Sequence, residues 1–146
     1  MNDTSFFGNS IDNFFVDKFI GDALMAVFRG DNHLAKAIAA SLQIRSNIAT
    51  LASNAIGFSP QVSIGINSGE MISGNIGSVT LKRLDYTVIG DTVNTAQRLE
   101  SSAKDGQILI NKDAYDQVKD TFSCRSIGTL MLTNKSKPVE GFEVLG

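Results

Sequence analysis

The sequence predicts an α+β fold, a sandwich in which helices cover one face of a mostly antiparallel sheet. Apolar alternation and helical periodicity follow one another in the order strand, strand, helix, strand, strand, helix, strand. The length of 146 residues, with 42% hydrophobic and 19% charged residues, suits one globular unit. The closest common architecture is the ferredoxin-like fold. We assign a single domain to residues 1–146, with residues 1–13 as an irregular arm.

The first two strands are predicted to form a hairpin. The apolar segments FFVDKFI and ALMAVF are separated only by Gly21 and Asp22. This pair suits a two-residue type II′ turn, because glycine readily adopts the positive φ that the first position requires. Asp22 is therefore expected at the tip of the hairpin.

A long amphipathic helix is predicted next, with Asp31 at its N-cap and its end near Asn54. Its apolar residues recur at steps of three and four and include Leu34, Ala37, Ile38, Leu42, Ile48 and Leu51.

Alternating residues then predict a strand over 61–67, followed by a second hairpin, MISGNIG and RLDYTVIG, that turns through 78–80. A second helix is expected to begin near Asp91 or Thr92 and to end before Gly106. The remaining predicted elements are a strand in QILIN, a short helix in DAYDQVKD and a β-ribbon from Cys124 to Gly146 that turns around 134–138.

Composition excludes several classes of function. Thirteen basic against fifteen acidic residues give a net charge of -2, which disfavours nucleic acid as a partner. One cysteine, Cys124, and one histidine, His33, leave no intramolecular disulfide, multi-thiolate zinc site or histidine-rich cluster, and we interpret both residues as structural or incidental. No apolar run approaches the roughly 20 residues that span a bilayer, so no membrane contact is expected from this segment. A cytoplasmic location is expected. The segment could equally be the cytosolic domain of a longer, membrane-attached or multidomain protein.

Two residues of the first hairpin are candidates for chemistry. Asp22 on a tight turn could offer its carboxylate to an oxygen-seeking cation such as Mg²⁺, or it could merely satisfy the turn. Lys18 interrupts an apolar strand, either to contact a ligand or because alternation turns it towards solvent.

Asn94 and Arg98 form a third candidate group. Their i,i+4 spacing places both on one face of the second helix, close to the positive end of its dipole. An amide and a guanidinium there suit a phosphate-bearing ligand. The alternative is a surface pair in which Arg98 bridges Glu100 or Asp91.

The joint pattern resembles a known family. FVDKFIGDALMAVF, GEMISGNIGSVTLKRLDYTVIGDTVNTAQRLE and ILINKDAYDQV together closely resemble the class III nucleotidyl cyclase catalytic domain, of the bacterial adenylyl cyclase type. The resemblance runs from about Phe15 to the C-terminus, and DYTVIGDTVNTAQRLE is its most specific part.

The resemblance implies an enzyme that converts ATP to cyclic AMP, as a homodimer whose two active sites draw residues from both chains. Asp22 matches the second metal-binding aspartate of a site that holds two Mg²⁺ or Mn²⁺ ions. Lys18 matches the lysine that reads the purine, and Thr87 occupies the position that completes adenine recognition. Asn94 matches the asparagine that orients the ribose, and Arg98 the arginine that stabilises charge on the α-phosphate.

Two departures from the family pattern affect these expectations. Family members carry an upstream strand with an F-x-D-I-x-G-F-T-like motif that holds the first metal aspartate. Here only residues 1–16 precede Asp17, and neither Asp3 nor Asp12 has the required neighbours. We therefore expect an N-terminally truncated domain that lacks its first, central strand, and a chain that is catalytically incomplete as it stands.

The second departure concerns the triphosphate. Where relatives often have a lysine in the C-terminal ribbon, this chain has Thr133, with Lys135 and Lys137 nearby.

Two other functions stay open. One is a degenerate cyclase homology domain that dimerises or binds nucleotide without turnover; the other is an unrelated ferredoxin-like interaction module.

Overall fold

The computed structural model describes residues 14–54, 57, 60–69, 72–76, 85–89, 91–131 and 138–146. The elements within these ranges are β1 (Phe14–Ile20), β2 (Ala23–Phe28), α1 (His33–Asn54), β3 (Ile64–Ile66), β4 (Ile72–Ile76), β5 (Asp85–Ile89), α2 (Asp91–Ser102), β6 (Ile108–Asn111), α3 (Lys112–Val118), β7 (Cys124–Leu130) and β8 (Val139–Val144). Each segment predicted as a helix or strand contains an element of that type, but three strands, β3, β4 and β5, separate α1 from α2, one more than the predicted succession has. The irregular arm, the turn at 78–80 and most of the turn at 134–138 lie outside the described residues.

The first hairpin has the predicted geometry. β1 and β2 pair antiparallel, and Ile20 and Ala23 are the last cross-strand partners before the turn. Gly21 has a φ of 60°, whereas Asp22 has no positive φ. A positive φ at the first turn position alone is what a type II′ turn requires, so the turn chemistry read from the sequence is confirmed.

The start of α1 differs by one residue from the prediction. The first α-helical hydrogen bond runs from the Lys36 amide to the Asn32 carbonyl, at 3.0 Å. Asn32 has a φ of 59°, outside the helical region, and therefore occupies the cap position that we had assigned to Asp31. The asparagine is placed there because its side chain tolerates the left-handed conformation better than most residues.

The largest sheet has four strands in the order β3-β6-β8-β7. β3 and β6 are parallel, whereas the β6–β8 and β7–β8 pairs are antiparallel. The two hairpins, β1–β2 and β4–β5, form separate two-stranded sheets among the described strands. Four of these five strand pairs are antiparallel, as the predicted fold class requires.

The helices lie on both faces of the four-stranded sheet, not on one face as the sequence had suggested. Ile66, Ile108 and Ile110 share a buried cluster with residues of α1 and α3. Gly65 and its partner Leu109 point the other way, and a Cβ added at Gly65 would lie 2.3 Å from the Ala96 carbonyl oxygen of α2. The reason is that β6 is apolar on both faces: Ile108, Leu109 and Ile110 are all fully buried, so both faces need cover.

The contact between Gly65 and α2 gives a stability prediction. In Gly65→Ala the new methyl would also lie 2.3 Å from the Glu100 amide nitrogen, so the α2 backbone must move. We expect a loss of about 1–3 kcal/mol in the free energy of unfolding, measured by denaturant titration. Gly146→Ala is the control, because nothing lies within 4 Å of its added Cβ. Equal stability of the two variants would contradict this packing.

Helix α1 contacts β2 of the first hairpin and β3 of the four-stranded sheet. Leu34 and Ile38 of α1 are buried, as is Val27 of β2. Within the described ranges, no helix combines the length and the apolar character that crossing a membrane requires.

Candidate active site

Asp22 is placed as the hairpin turn dictates. The two-residue turn lifts it beyond the last paired residues of β1 and β2, and its side chain is exposed. A carboxylate in this position is free to bind a cation without losing a partner in the core. Lys18 lies in β1, opposite Met25 and next to a register shift that follows Val16. The Lys18 side chain lies outside what the structure describes.

Thr87 lies in β5, opposite Gly74 of β4, and its side chain is also outside the described part of the chain. The backbones are informative, because β1 contacts β5 and α2 contacts β5 as well. Within one chain, β5 thus contacts both the strand that carries Lys18 and the helix that carries the Asn94–Arg98 pair, although these elements are far apart in the sequence.

Helix α2 presents Asn94 and Arg98 away from its buried side. Thr95 and Leu99 are its buried residues, with 5% and 0% exposure. Asn94 and Arg98 each precede one of these residues by one position, so a rotation of about 100° separates the two pairs around the helix. Asn94 is exposed and Arg98 half-buried. The pair thus has its predicted spacing on an accessible face close to the helix N-terminus.

A polar network missed by the sequence analysis anchors the start of α2. Asn111 Nδ2 donates to Asn67 Oδ1 at 2.7 Å, and Asn67 Nδ2 donates to the Thr92 carbonyl oxygen at 3.1 Å. Asn111 Oδ1 also accepts from the Ala114 amide at 3.0 Å, which caps α3. The signal in the sequence was the polar residue that directly follows each of two apolar strand segments, IGI and ILI, since the carboxyl ends of parallel strands share one edge of a sheet.

His33 and Cys124 have structural surroundings, in line with the sequence analysis. His33 Nε2 lies 2.7 Å from Ser68 Oγ and its Nδ1 lies 3.1 Å from the Gly30 carbonyl oxygen, so the ring links α1 to the segment after β3. Partial burial raises the pKa of the Cys124 thiol, which disfavours the nucleophilic thiolate. Thr133, Lys135 and Lys137 lie outside the described residues.

The residues that could hold a metal ion are only partly present in the described part of the chain. The exposed carboxylate of Asp22 has the oxygen chemistry that Mg²⁺ and Mn²⁺ prefer. Among the described residues, no three His, Cys, Asp or Glu side chains form a group that could enclose an ion. Asp22 therefore fits as one ligand, and these residues do not complete a two-ion site.

Comparison with known proteins settles the family. Residues 6–145 match the family described as the adenylate and guanylate cyclase catalytic domain. The chain belongs to this cyclase family. An adenylate cyclase of Anabaena cylindrica is 35% identical to the cyclase domain over 134 residues, which cover 87% of the chain and 26% of that protein. This chain thus spans about a quarter of the length of that relative.

Solved structures confirm the fold of the cyclase domain. The adenylyl cyclase CyaB from P. aeruginosa matches with a TM-score of 0.72 and 33% identity, covering 91% of this chain and 72% of that one. The guanylate cyclase domain of RhGC from Catenaria anguillulae, solved in complex with GTP, matches with a TM-score of 0.81 and 26% identity, covering 98% and 75% respectively. The class III cyclase fold inferred from the motifs is therefore confirmed, and the relatives include cyclases of both nucleotide types.

Proposed function

We propose that this domain converts ATP to cyclic AMP and pyrophosphate, as a homodimer that serves signal transduction. The observation that carries the proposal is the motif pair on two contacting strands, Lys18 in DKFIGD on β1 and Thr87 in DYTVIGD on β5, within a chain of the cyclase family. Membership of the family leaves ATP and GTP open, so the choice of base rests on these two residues.

Base selection follows from hydrogen-bond polarity. Adenine presents an acceptor at N1 and a donor at its 6-amino group, whereas guanine presents the reverse polarity at the corresponding positions. The Lys18 ammonium can only donate, which suits adenine N1, and the Thr87 hydroxyl can accept from the 6-amino group. A purine of the wrong polarity would leave these groups without partners, which is how a polar site discriminates most strongly.

Cyclisation is an in-line attack of the ribose 3′-oxygen on the α-phosphorus, with pyrophosphate as the leaving group. The protein's contribution is mainly positioning and electrostatic stabilisation. The Asn94 amide would orient the ribose, and the Arg98 guanidinium would donate two hydrogen bonds where charge grows on the α-phosphate. Asp22 would bind one of two Mg²⁺ or Mn²⁺ ions, which when bound supply charge neutralisation and a more acidic 3′-hydroxyl.

The role of Lys18 can be tested by reversing its charge. In a catalytically active form of the domain, Lys18→Glu is expected to impair turnover of ATP and to shift the relative preference towards GTP, because a carboxylate can accept from guanine N1–H and its 2-amino group. The measurement is kcat/KM for both nucleotides. Lys119→Glu is the control, because it makes the same charge change at an exposed residue after α3. An unchanged ratio of ATP to GTP turnover in Lys18→Glu would contradict the assignment.

The homodimer is supported by an apolar surface on the first hairpin. Phe19 and Leu24 are cross-strand partners, and they are 78% and 53% exposed. Val16, on β1 like Phe19, is 44% exposed. Exposed apolar side chains grouped in this way are typical of protein interfaces. The surface lies next to the turn that carries Asp22, which suits a second copy that brings its own α2 to this site.

Shared active sites predict complementation between inactive variants. A mixed dimer of Arg98→Ala and Asp22→Ala chains has one site in which both residues are intact. After random mixing in equal amounts, we expect recovery to about a quarter of wild-type activity, because half of the dimers are mixed and each has one intact site. Each variant assayed alone is the control. No recovery, although mixed dimers are shown to form, would contradict sites shared between chains.

A further inference from the structure

The Asn67 side chain joins the sheet to the first turn of α2. Asn67 directly follows β3, and its carboxamide uses both ends: Oδ1 accepts from Asn111 Nδ2 at 2.7 Å, and Nδ2 donates to the Thr92 carbonyl oxygen at 3.1 Å. Asn111 is the last residue of β6, which pairs with β3. The Asn67 carboxamide is therefore anchored to the four-stranded sheet. The Asn67 carboxamide therefore has one orientation that satisfies both partners.

A second contact constrains the same turn of α2. Gly69 lies two residues after Asn67, and a Cβ added there would be 2.7 Å from Thr92 Oγ1. The segment after β3 thus approaches Thr92 closely, at its carbonyl through Asn67 and at its side chain through Gly69. Thr92 precedes Asn94 by two residues and Arg98 by six on the same helix. The orientation of both site residues depends on how this turn is held.

We propose that Asn67 is a positioning residue for nucleotide cyclisation, because it fixes the first turn of the helix that presents Asn94 and Arg98. This inference rests on the proposed function. Asn67 does not contact the nucleotide; it acts through the place of α2 relative to the sheet. A shift of a reacting group by about 1 Å can lower a rate about a hundredfold, so the loss of this hydrogen bond should lower kcat more than it raises KM.

The decisive variant is Asn67→Asp, tested in a catalytically active form of the domain. It keeps an oxygen that accepts from Asn111 but removes the donor to Thr92, at nearly constant volume. Ser63→Ala is the matched control, because Ser63 Oγ donates to the Lys104 carbonyl oxygen at 3.2 Å, just beyond the other end of α2. We expect Asn67→Asp to lower kcat by roughly ten- to a hundredfold and Ser63→Ala to leave it within about twofold.

Combination with Arg98→Ala separates positioning from a loss of folded protein. If Asn67 acts through α2, its substitution should cost a smaller factor in kcat when Arg98 is already absent. A loss of folded enzyme would cost the same factor in both backgrounds. The same factor in both would overturn the proposal.

Hydrogen exchange provides a readout that needs no activity. In a regular helix the Ala96 amide donates to the Thr92 carbonyl. Because Asn67→Asp removes the hydrogen bond that holds this turn against the sheet, the turn should open more often, and the Ala96 amide should exchange roughly five- to tenfold faster, the factor that corresponds to one hydrogen bond. Ser63→Ala should leave this exchange rate unchanged. Unchanged exchange in Asn67→Asp would overturn the proposal. A wild-type protein without cyclase activity would instead refute the proposed function, and the exchange comparison would then decide alone whether Asn67 holds α2.

Discussion

Arg98→Ala is expected to lower kcat for cyclic AMP formation by about 10²–10³, with little change in KM. Arg98 stands four residues after Asn94 on the accessible side of α2, and it is partly buried. A guanidinium at this position would donate hydrogen bonds to the charge that grows on the α-phosphate in the transition state. Its loss should affect the transition state more than the bound substrate.

The control for Arg98→Ala is Gln97→Ala, an exposed neighbour on the same helix. This substitution truncates a polar side chain without removing a charge, and it should leave kcat within about twofold, as surface substitutions usually do. Both variants are assayed over a range of ATP concentrations. A rise in KM alone in Arg98→Ala would show that the residue binds the ground state, and equal kcat values for the two variants would contradict a catalytic role.

The 146-residue chain alone is expected to form no measurable cyclic AMP, even with abundant Mg²⁺ or Mn²⁺. A two-ion site needs carboxylates on both ions, and Asp22 is the metal ligand that the family resemblance identifies in this chain. One carboxylate binds a pair of dications poorly, because Mg²⁺ in particular gives up its water reluctantly.

The matched comparison is the same chain joined upstream to an initial strand with the F-x-D-I-x-G-F-T-like motif. Both forms are assayed together for cyclic AMP. Turnover only in the longer form is the expected result. Strong turnover by the 146-residue chain would mean that Asp3, Asp12 or Asp17 supplies the second carboxylate, and would contradict our interpretation of the N-terminus.

Local chemistry made most of the elements predictable. Gly21 and Asp22 identified the first hairpin because a two-residue turn limits the residues that fit it. The length of β3 was overestimated, since the predicted strand over 61–67 has ladder pairs only from Ile64 to Ile66. Its partner β6 begins only at Ile108. The Val62 carbonyl oxygen instead accepts a hydrogen bond from the Gly106 amide, in the loop that precedes β6. Strand length here depends on the partner, which periodicity does not reveal.

The arrangement of helices was harder to predict because it depends on the pairing of distant strands. β3 and β6 are parallel, so the chain between them must cross over the sheet, and α2 lies in that crossover. The continuous apolar run Ile108 to Ile110 was the available signal for burial on both faces. Asn67 and Asn111 were missed for a similar reason, since they meet only once these strands pair.

The candidate site came from motifs rather than from local patterns. Asp22, Asn94 and Arg98 are each compatible with an ordinary turn or surface role when taken alone. Their combination in DKFIGD and DYTVIGDTVNTAQRLE identified the family, which the match over residues 6–145 confirms. The assignment of each residue to metal, ribose or phosphate stays a prediction, as does the choice of adenine by Lys18 and Thr87.

The most direct test of the central claim is the product formed from ATP and GTP supplied together in equal amounts. The form of the domain that carries the upstream strand is incubated with both nucleotides and Mg²⁺, and the cyclic products are separated and quantified. We predict that cyclic AMP is formed in excess over cyclic GMP. Predominant cyclic GMP would contradict the base assignment, and the absence of any cyclic nucleotide would contradict the proposed activity and favour a degenerate domain.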